Sequence, residues 1–316
     1  MDGGFVAHTT RKPRFRRVAE PPTFRLTEGD VEIIRQIARH RLIRSTHVAE
    51  LVGRSVDRTN DRLRSLFHAG YIDRPRAQLD YYPMAGSAPM VYALANRGAR
   101  LLRERDGINF TNLELSRKNR EAGRPFIEHQ IEIVNFQVAL QRASRGRSDV
   151  RFVHPDEIVN ESPGPTYLSH KPFAVRVRLS DKGVMRDVGV VPDLVFGLDL
   201  ADHSRRNFTV EIDRGTMPIV RADPDQTSFA RKMRLYLTVH AAKLHERQFN
   251  WKNFRVLTVT TDQRRVASMI DVLRRMRVPH SPGPALFLFT TFNAIHASNP
   301  LEHEWHGGDG RPARLI

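Results

Sequence analysis

The sequence predicts a mixed α/β protein in two parts, a small helical part closed by a β-hairpin and a larger part whose sheet is flanked by helices. Three observations predict it. Apolar residues recur at helical spacing from Val31 to Phe67. From residue 127 to residue 290, helical patterns alternate with short β-rich runs. A length of 316 residues suits two domains, the larger able to bury its own core.

Residues 1–25 read as a flexible basic arm. Arg11, Lys12, Arg14, Arg16 and Arg17 stand among Gly, Pro and Thr, with too little apolar content to pack. Such an arm lies on phosphates or enters a minor groove.

Residues 26–105 carry the helical part. Thr27 caps a first helix, with Asp30 three residues on and Val31, Ile34, Ile37 and Ala38 facing inward. Ser45 or Thr46 caps a second, which Gly53 ends at a position that needs positive φ. Ser55 caps a third, with Val56, Thr59, Leu63, Leu66 and Phe67 as its inward stripe. Around its outer face lie Arg54, Arg58, Arg62 and Arg64, suited to a major groove. Extended runs at 81–83 and 91–94 make a hairpin, and a closing helix runs through Leu101 and Leu102. This order resembles a winged helix-turn-helix, and "YALANRGARLL" resembles the junction between its wing and its last helix. Residues 106–125 are polar and end on Gly-Arg-Pro, a linker.

Residues 126–316 form the larger part. Ile127, Ile131, Val134 and Val138 mark a helix, and strands follow at 150–153, 173–179, 193–198 and 208–213. A basic helix at about 226–245, a strand at 256–260, a helix at 266–276 and a strand at 285–290 complete the order. Alternation puts Glu211 and Asp213 on one strand face, and pairing of the strands brings Asp193 beside them. Three converging carboxylates call for a divalent cation, and Mg²⁺ accepts such a sparse oxygen set with waters. His303 and His306 in "LEHEWHGG" lie in a polar Gly-rich tail and read as surface residues.

The segments "RPFIEHQIEIVNFQVAL", "VPDLVF", "FTVEIDRGT" and "FARKMRLYLTV" resemble the PD-(D/E)XK nuclease superfamily, and more narrowly the replication-relaxation family of plasmid and mobile-element proteins. The resemblance implies a restriction-endonuclease-like mixed sheet flanked by helices, with Asp193 and Glu211 as ligands of Mg²⁺ or Mn²⁺. Where the motif has its lysine this chain has Asp213, and Lys232 on the next helix, with Tyr236 one turn on, is the substitute. Glu128 or Glu132 on the first helix adds an acid, Glu128 being preferred beside His129. The resemblance implies metal-dependent cleavage or nicking of DNA, and the departure at Asp213 leaves a non-catalytic accessory protein or transcriptional regulator as the alternative.

Charge agrees with this reading. Lys and Arg number 51 against 35 Asp and Glu, a formal net charge of +16, which favours a polyanionic partner such as double-stranded DNA. A second copy of the chain, or other replication and mobilisation proteins, are further partners consistent with it. No apolar stretch of spanning length or signal peptide stands out, so a cytoplasmic protein without a membrane partner is expected. With no Cys, disulfides, thiolate metal sites and Cys nucleophiles are excluded. No Gly-rich phosphate loop or nucleophile elbow points to ATP hydrolysis or acyl transfer.

Overall fold

Thr27 starts the first helix as expected. The structure is a computed structural model that describes residues 13–20, 23–78, 88–108, 115–181, 184–223 and 226–316. In it the Thr27 hydroxyl accepts from the Asp30 amide at 3.3 Å, and the Asp30 carboxylate accepts from the Thr27 amide at 2.8 Å. This capping box opens α1 (Glu28–Arg39), whose Val31, Ile34 and Ile37 are fully buried. After β1 (Ile43–Arg44), α2 (Ser45–Leu51) starts one residue earlier than expected, with Arg44 at its N-cap. Gly53 follows at φ +65°, the conformation the turn requires. Ser55 holds the N-cap of α3 (Val56–His68), but its side chain makes no capping hydrogen bond.

The strands β2 (Ile72–Asp73) and β3 (Val91–Leu94) join β1 in an antiparallel sheet of order β1-β3-β2. The run at 81–83, expected to begin the hairpin, lies outside the described residues, as do Arg11 and Lys12. Next come α4 (Asn96–Asp106) and, within the expected linker, α5 (Leu115–Glu121). The chain then enters α6 (Arg124–Ser144), a single helix of 21 residues.

Two compact units result, Met1–Val134 and Asn135–Ile316, so the division falls inside α6 rather than at Phe126. The reason is apolar burial: Ile127 and Ile131 cluster with Leu42, Val91 and Ala93 of the first unit.

In the second unit β4 (Val150–Val153) is followed by α7 (Pro155–Glu161) and α8 (Gly164–Tyr167). A hairpin of β5 (Val175–Asp181) and β6 (Val184–Val190) stands as its own two-stranded sheet, where one strand of the main sheet was expected. The central elements are β7 (Leu194–Leu200), β8 (Arg205–Ile212), α9 (Phe229–Ala241), α10 (Leu244–Phe249), β9 (Arg255–Thr260) and α11 (Gln263–Arg275). The unit closes with β10 (Phe287–Thr291), α12 (Phe292–His296), β11 (Trp305–Gly307) and β12 (Pro312–Ala313). Seven of these strands form one mixed sheet, in the order β12-β11-β10-β9-β8-β7-β4. Within it β8, β9 and β10 run parallel to one another, and β7 is antiparallel to β8. None of the described helices is long and apolar enough to cross a membrane.

The two faces of this sheet are filled differently. On one, Met233 and Leu237 of α9 and Met269 of α11 pack with Val195, Val256 and Phe289. On the other, Phe196 stacks between Phe152 and Phe208, and Phe136 meets Phe196 and Trp305 edge to face. Each such ring is worth about 1.5–3 kcal/mol of burial. The expected polar tail is therefore partly core: Trp305 is fully buried on β11. His303 bonds Thr290 at 2.7 Å and Ser298 at 3.0 Å, while His306 is exposed as expected.

Candidate functional site

β7 and β9 pair both edges of β8, α9 covers one of its faces and the aromatic stack the other, and its side chains alternate between these two environments. Phe208 enters the aromatic stack, so Thr209 and Glu211 turn toward α9. Leu194 pairs with Val210, which sets Asp193 across from Glu211 at the end of the two strands. Two bonds fix Asp193 there. Its amide donates to the Val210 carbonyl at 3.0 Å, and its carboxylate accepts from the Ile212 amide at 2.8 Å.

Ser228 caps α9 by accepting from the Arg231 amide, and helical spacing then puts Lys232 and Tyr236 on one face, one turn apart. Both reach Glu211. The Lys232 ammonium donates to one carboxylate oxygen at 2.5 Å and the Tyr236 hydroxyl to the other at 2.5 Å. Burial pushes the Glu211 carboxyl up, the nearby Asp193 charge adds to this, and Lys232 and Tyr236 only partly offset them, leaving it at about 7. Burial pulls the Lys232 ammonium down, but Glu211, Asp193 and Asp213 outweigh it and hold it above its usual value. Burial together with the Glu211 carboxylate raises the Tyr236 hydroxyl well above its own.

Asp213, expected as a third ligand, lies beyond the end of β8 and its oxygens are engaged elsewhere. Arg265 of α11 donates to both of them, Thr260 donates to one at 2.5 Å, and the Gly215 amide donates to the other at 3.3 Å. Asp262 caps α11 and so sets Arg265 in its first turn, where it also donates to the Met217 carbonyl. The sequence signal for Arg265 is only the Thr-Asp cap three residues before it. Glu128 belongs to the first unit, where it accepts from Arg124 at 2.8 Å. Among the described residues no group of three or more His, Cys, Asp or Glu is placed to hold a metal.

Asp193 and Glu211 remain together at this strand end. Burial first, and then the neighbouring Asp193 charge, holds the Glu211 carboxyl near 7 even with Lys232 beside it. Mg²⁺ commonly binds through one or two carboxylates with waters completing its shell.

The profile of the replication-relaxation family matches residues 34–254, well over half of the chain. The chain belongs to the replication-relaxation family. This membership associates it with replication or relaxation of plasmids and mobile elements. Neither the curated proteins nor the solved structures give a match.

In the first unit of this replication-relaxation protein the basic residues divide into two groups. Arg16, Arg54, Arg58 and Arg64 are exposed, Arg64 paired with Asp61 at 3.0 Å. Arg14 is exposed against the Phe15 ring. Arg17 and Arg62, expected on DNA, are instead bonded within the unit. Arg17 donates to the Phe67 and Ile72 carbonyls and to Asp73 at 2.5 Å, which docks the segment around it rather than leaving a free arm. Arg62 donates twice to the fully buried Asp30 and stacks on Phe24. Burial pushes the Asp30 carboxyl up, but the bonds from Arg62 and Thr27 outweigh this and hold it below its usual value.

Arg62→Ala is therefore expected to destabilise the first unit by about 1–3 kcal/mol, since it strips the cation from a buried carboxylate. Arg58→Ala should change stability by no more than about 0.5 kcal/mol. Urea unfolding of the two variants separates them, and equal losses would contradict the assignment.

Proposed function

We propose that the first unit is a winged helix-turn-helix that docks on duplex DNA, and that the second is a nuclease-like unit that cleaves or nicks one strand with Mg²⁺ or Mn²⁺. The observation that carries this reading is the convergence of Asp193, Glu211 and Lys232 at one strand end, with a lysine delivered from α9 in place of the one missing at position 213. The exposed arginines of α3 and the +16 charge support duplex binding.

Asp193 and Glu211 are the residues that would hold the cation. When bound, it supplies charge neutralisation at the phosphate and a water of lowered pKa. The chain's own groups do the rest. The Ile212 amide and Tyr236 hydroxyl hold the two carboxylates in fixed orientations. Lys232 offers a cationic donor beside Glu211, where it can bond a phosphodiester oxygen as negative charge grows on it. Asp213, neutralised by Arg265, braces the turn after β8.

Incubating supercoiled plasmid with Mg²⁺ or Mn²⁺ tests the reading. Asp193→Asn, Glu211→Gln and Lys232→Met should each lower the nicking rate by about 10²–10⁴-fold. Equal rates in wild type and all three variants would defeat it. The engagement of Asp213 by Arg265 favours a second reading, a non-catalytic DNA-binding accessory protein or transcriptional regulator. On that reading the wild type binds DNA and leaves the plasmid intact with either metal.

A further inference from the structure

Residues 14–18 of the first unit belong to no helix or strand, yet long-range bonds fix them in place. Arg17 donates to the Phe67 and Ile72 carbonyls at 2.9 and 3.1 Å and to Asp73 at 2.5 Å. The Val18 amide donates to His68 Nδ1 at 3.3 Å, and Arg74 donates to the Arg14 carbonyl at 2.7 Å. These partners lie 50 to 60 residues along the chain, at the last turn of α3 or on and just after β2. The segment is thus docked against the C-terminal end of α3.

Docking gathers like charges. Arg74 lies over the Phe67 and Tyr92 rings, 4.2 and 5.2 Å from their centres, and makes no ion pair among the described residues. Arg64 stands one turn before Phe67 on α3. Burial holds Arg74 below its usual value, Tyr92 offsets part of this, and the Arg64 and Arg14 charges add to it, so the guanidinium groups of Arg14, Arg64 and Arg74 lie within electrostatic reach of one another. Asp73 does not neutralise them, because Arg17 and Asn119 hold its carboxylate. Arg14 and Arg16 are exposed while Phe15 and Arg17 are half-buried, and Arg16 makes no ion pair among the described residues. Assembling cations in this way costs free energy that an anion lying across them recovers.

The arginines exposed on α3 itself have a short reach. Arg58 and Arg64 are six residues apart, about 9 Å along the helix, which covers about three phosphates of one strand. Docked at Phe67 and His68, Arg14 and Arg16 carry the cationic surface past the end of α3. Resting on the duplex-binding reading of this unit, we propose that residues 14–18 are a preset arm. Arg14 and Arg16 bond backbone phosphates of the duplex beside those reached by Arg64, and Arg17 and Arg74 are positioning residues that hold them there. An arm fixed before binding loses little conformational freedom when it meets DNA, so its charge is converted to affinity more fully than that of a free tail.

Fluorescence anisotropy of the full chain in EDTA, with a labelled duplex of about 20 base pairs as probe, tests this. The R14Q/R16Q variant should bind at least about tenfold more weakly at low salt, with the slope of log Kd against log salt lower by about two. The same two changes are then made in D73N/R17M and in R74M, each of which removes one anchor of the segment and leaves no buried charge unpaired. In either background they should cost no more than about threefold, because the arm is no longer held on the phosphates. A purely structural role for Arg17 and Arg74 would lower the unfolding midpoint and leave the tenfold effect of R14Q/R16Q intact. A full effect in both backgrounds therefore overturns the positioning role, and an effect below about twofold in the wild type overturns the phosphate contacts. Either result leaves duplex binding by the unit standing. A wild type that does not bind the duplex overturns that reading and this proposal together.

Discussion

Arg265→Met is expected to destabilise the second unit by about 3–5 kcal/mol, because it leaves a buried carboxylate without its cation. The Asp213 side chain is 3 % exposed and that of Arg265 16 %, so solvent does little to screen the charge left behind. Arg265 also spans Asp213 and the Met217 carbonyl, so its loss releases the turn after β8. The pair acts as a unit, so Asp213→Asn combined with Arg265→Met should cost less than the sum of the single changes, with a coupling of about 1.5–3 kcal/mol. Urea unfolding measures all three variants, with the exposed Arg264→Met as control. A loss for Arg265→Met no larger than for Arg264→Met would show that Asp213 does not depend on it.

The second large effect is on pH dependence. Glu211 titrates at about 7 in the folded protein against 4.5 for the free side chain. The folded state therefore holds this proton more tightly than the unfolded chain. The stability it contributes is fully present below about pH 4.5 and is lost as pH rises through about 7. At about 1.4 kcal/mol per pH unit of difference, the decline amounts to about 3 kcal/mol. Lys232, raised in the fold, keeps its contribution to above its usual range and adds no slope in this window. His245 and His303, both lowered by burial, add an opposite slope that the two proteins share, so between about pH 4.5 and pH 8 in EDTA the wild type should lose about that much stability relative to Glu211→Gln. Identical slopes in the two proteins would refute a strained Glu211.

Much of this site was legible in the chain. The order Pro192-Asp193, Glu211, Lys232 gave its members, because strand alternation and helix spacing are local rules. Alternation placed Asp213 on the side of Glu211, where Thr260 bonds it and its charge reaches Lys232, but alternation could not show that its oxygens are taken by Arg265. The fate of its carboxylate then depended on an arginine 52 residues away, which no local pattern connects to it. Arg62 and Arg17 were misassigned for a related reason. A basic residue at the edge of a helix or in a polar arm looks the same in sequence whether it faces solvent or a buried acid such as Asp30 or Asp73.

What the sequence determined alone were features with short-range causes: the Thr27 capping box, the Gly53 turn, the strand at Val150–Val153, and the helix that carries Lys232 and Tyr236. Tertiary structure alone decided where α6 divides, that β5 and β6 form their own sheet, and that Trp305 belongs to the core. It also decided which acids remain near a shared strand end and which are neutralised. Propensity and capping act over a few residues, whereas burial and ion pairing depend on which distant segments the sheet order brings together.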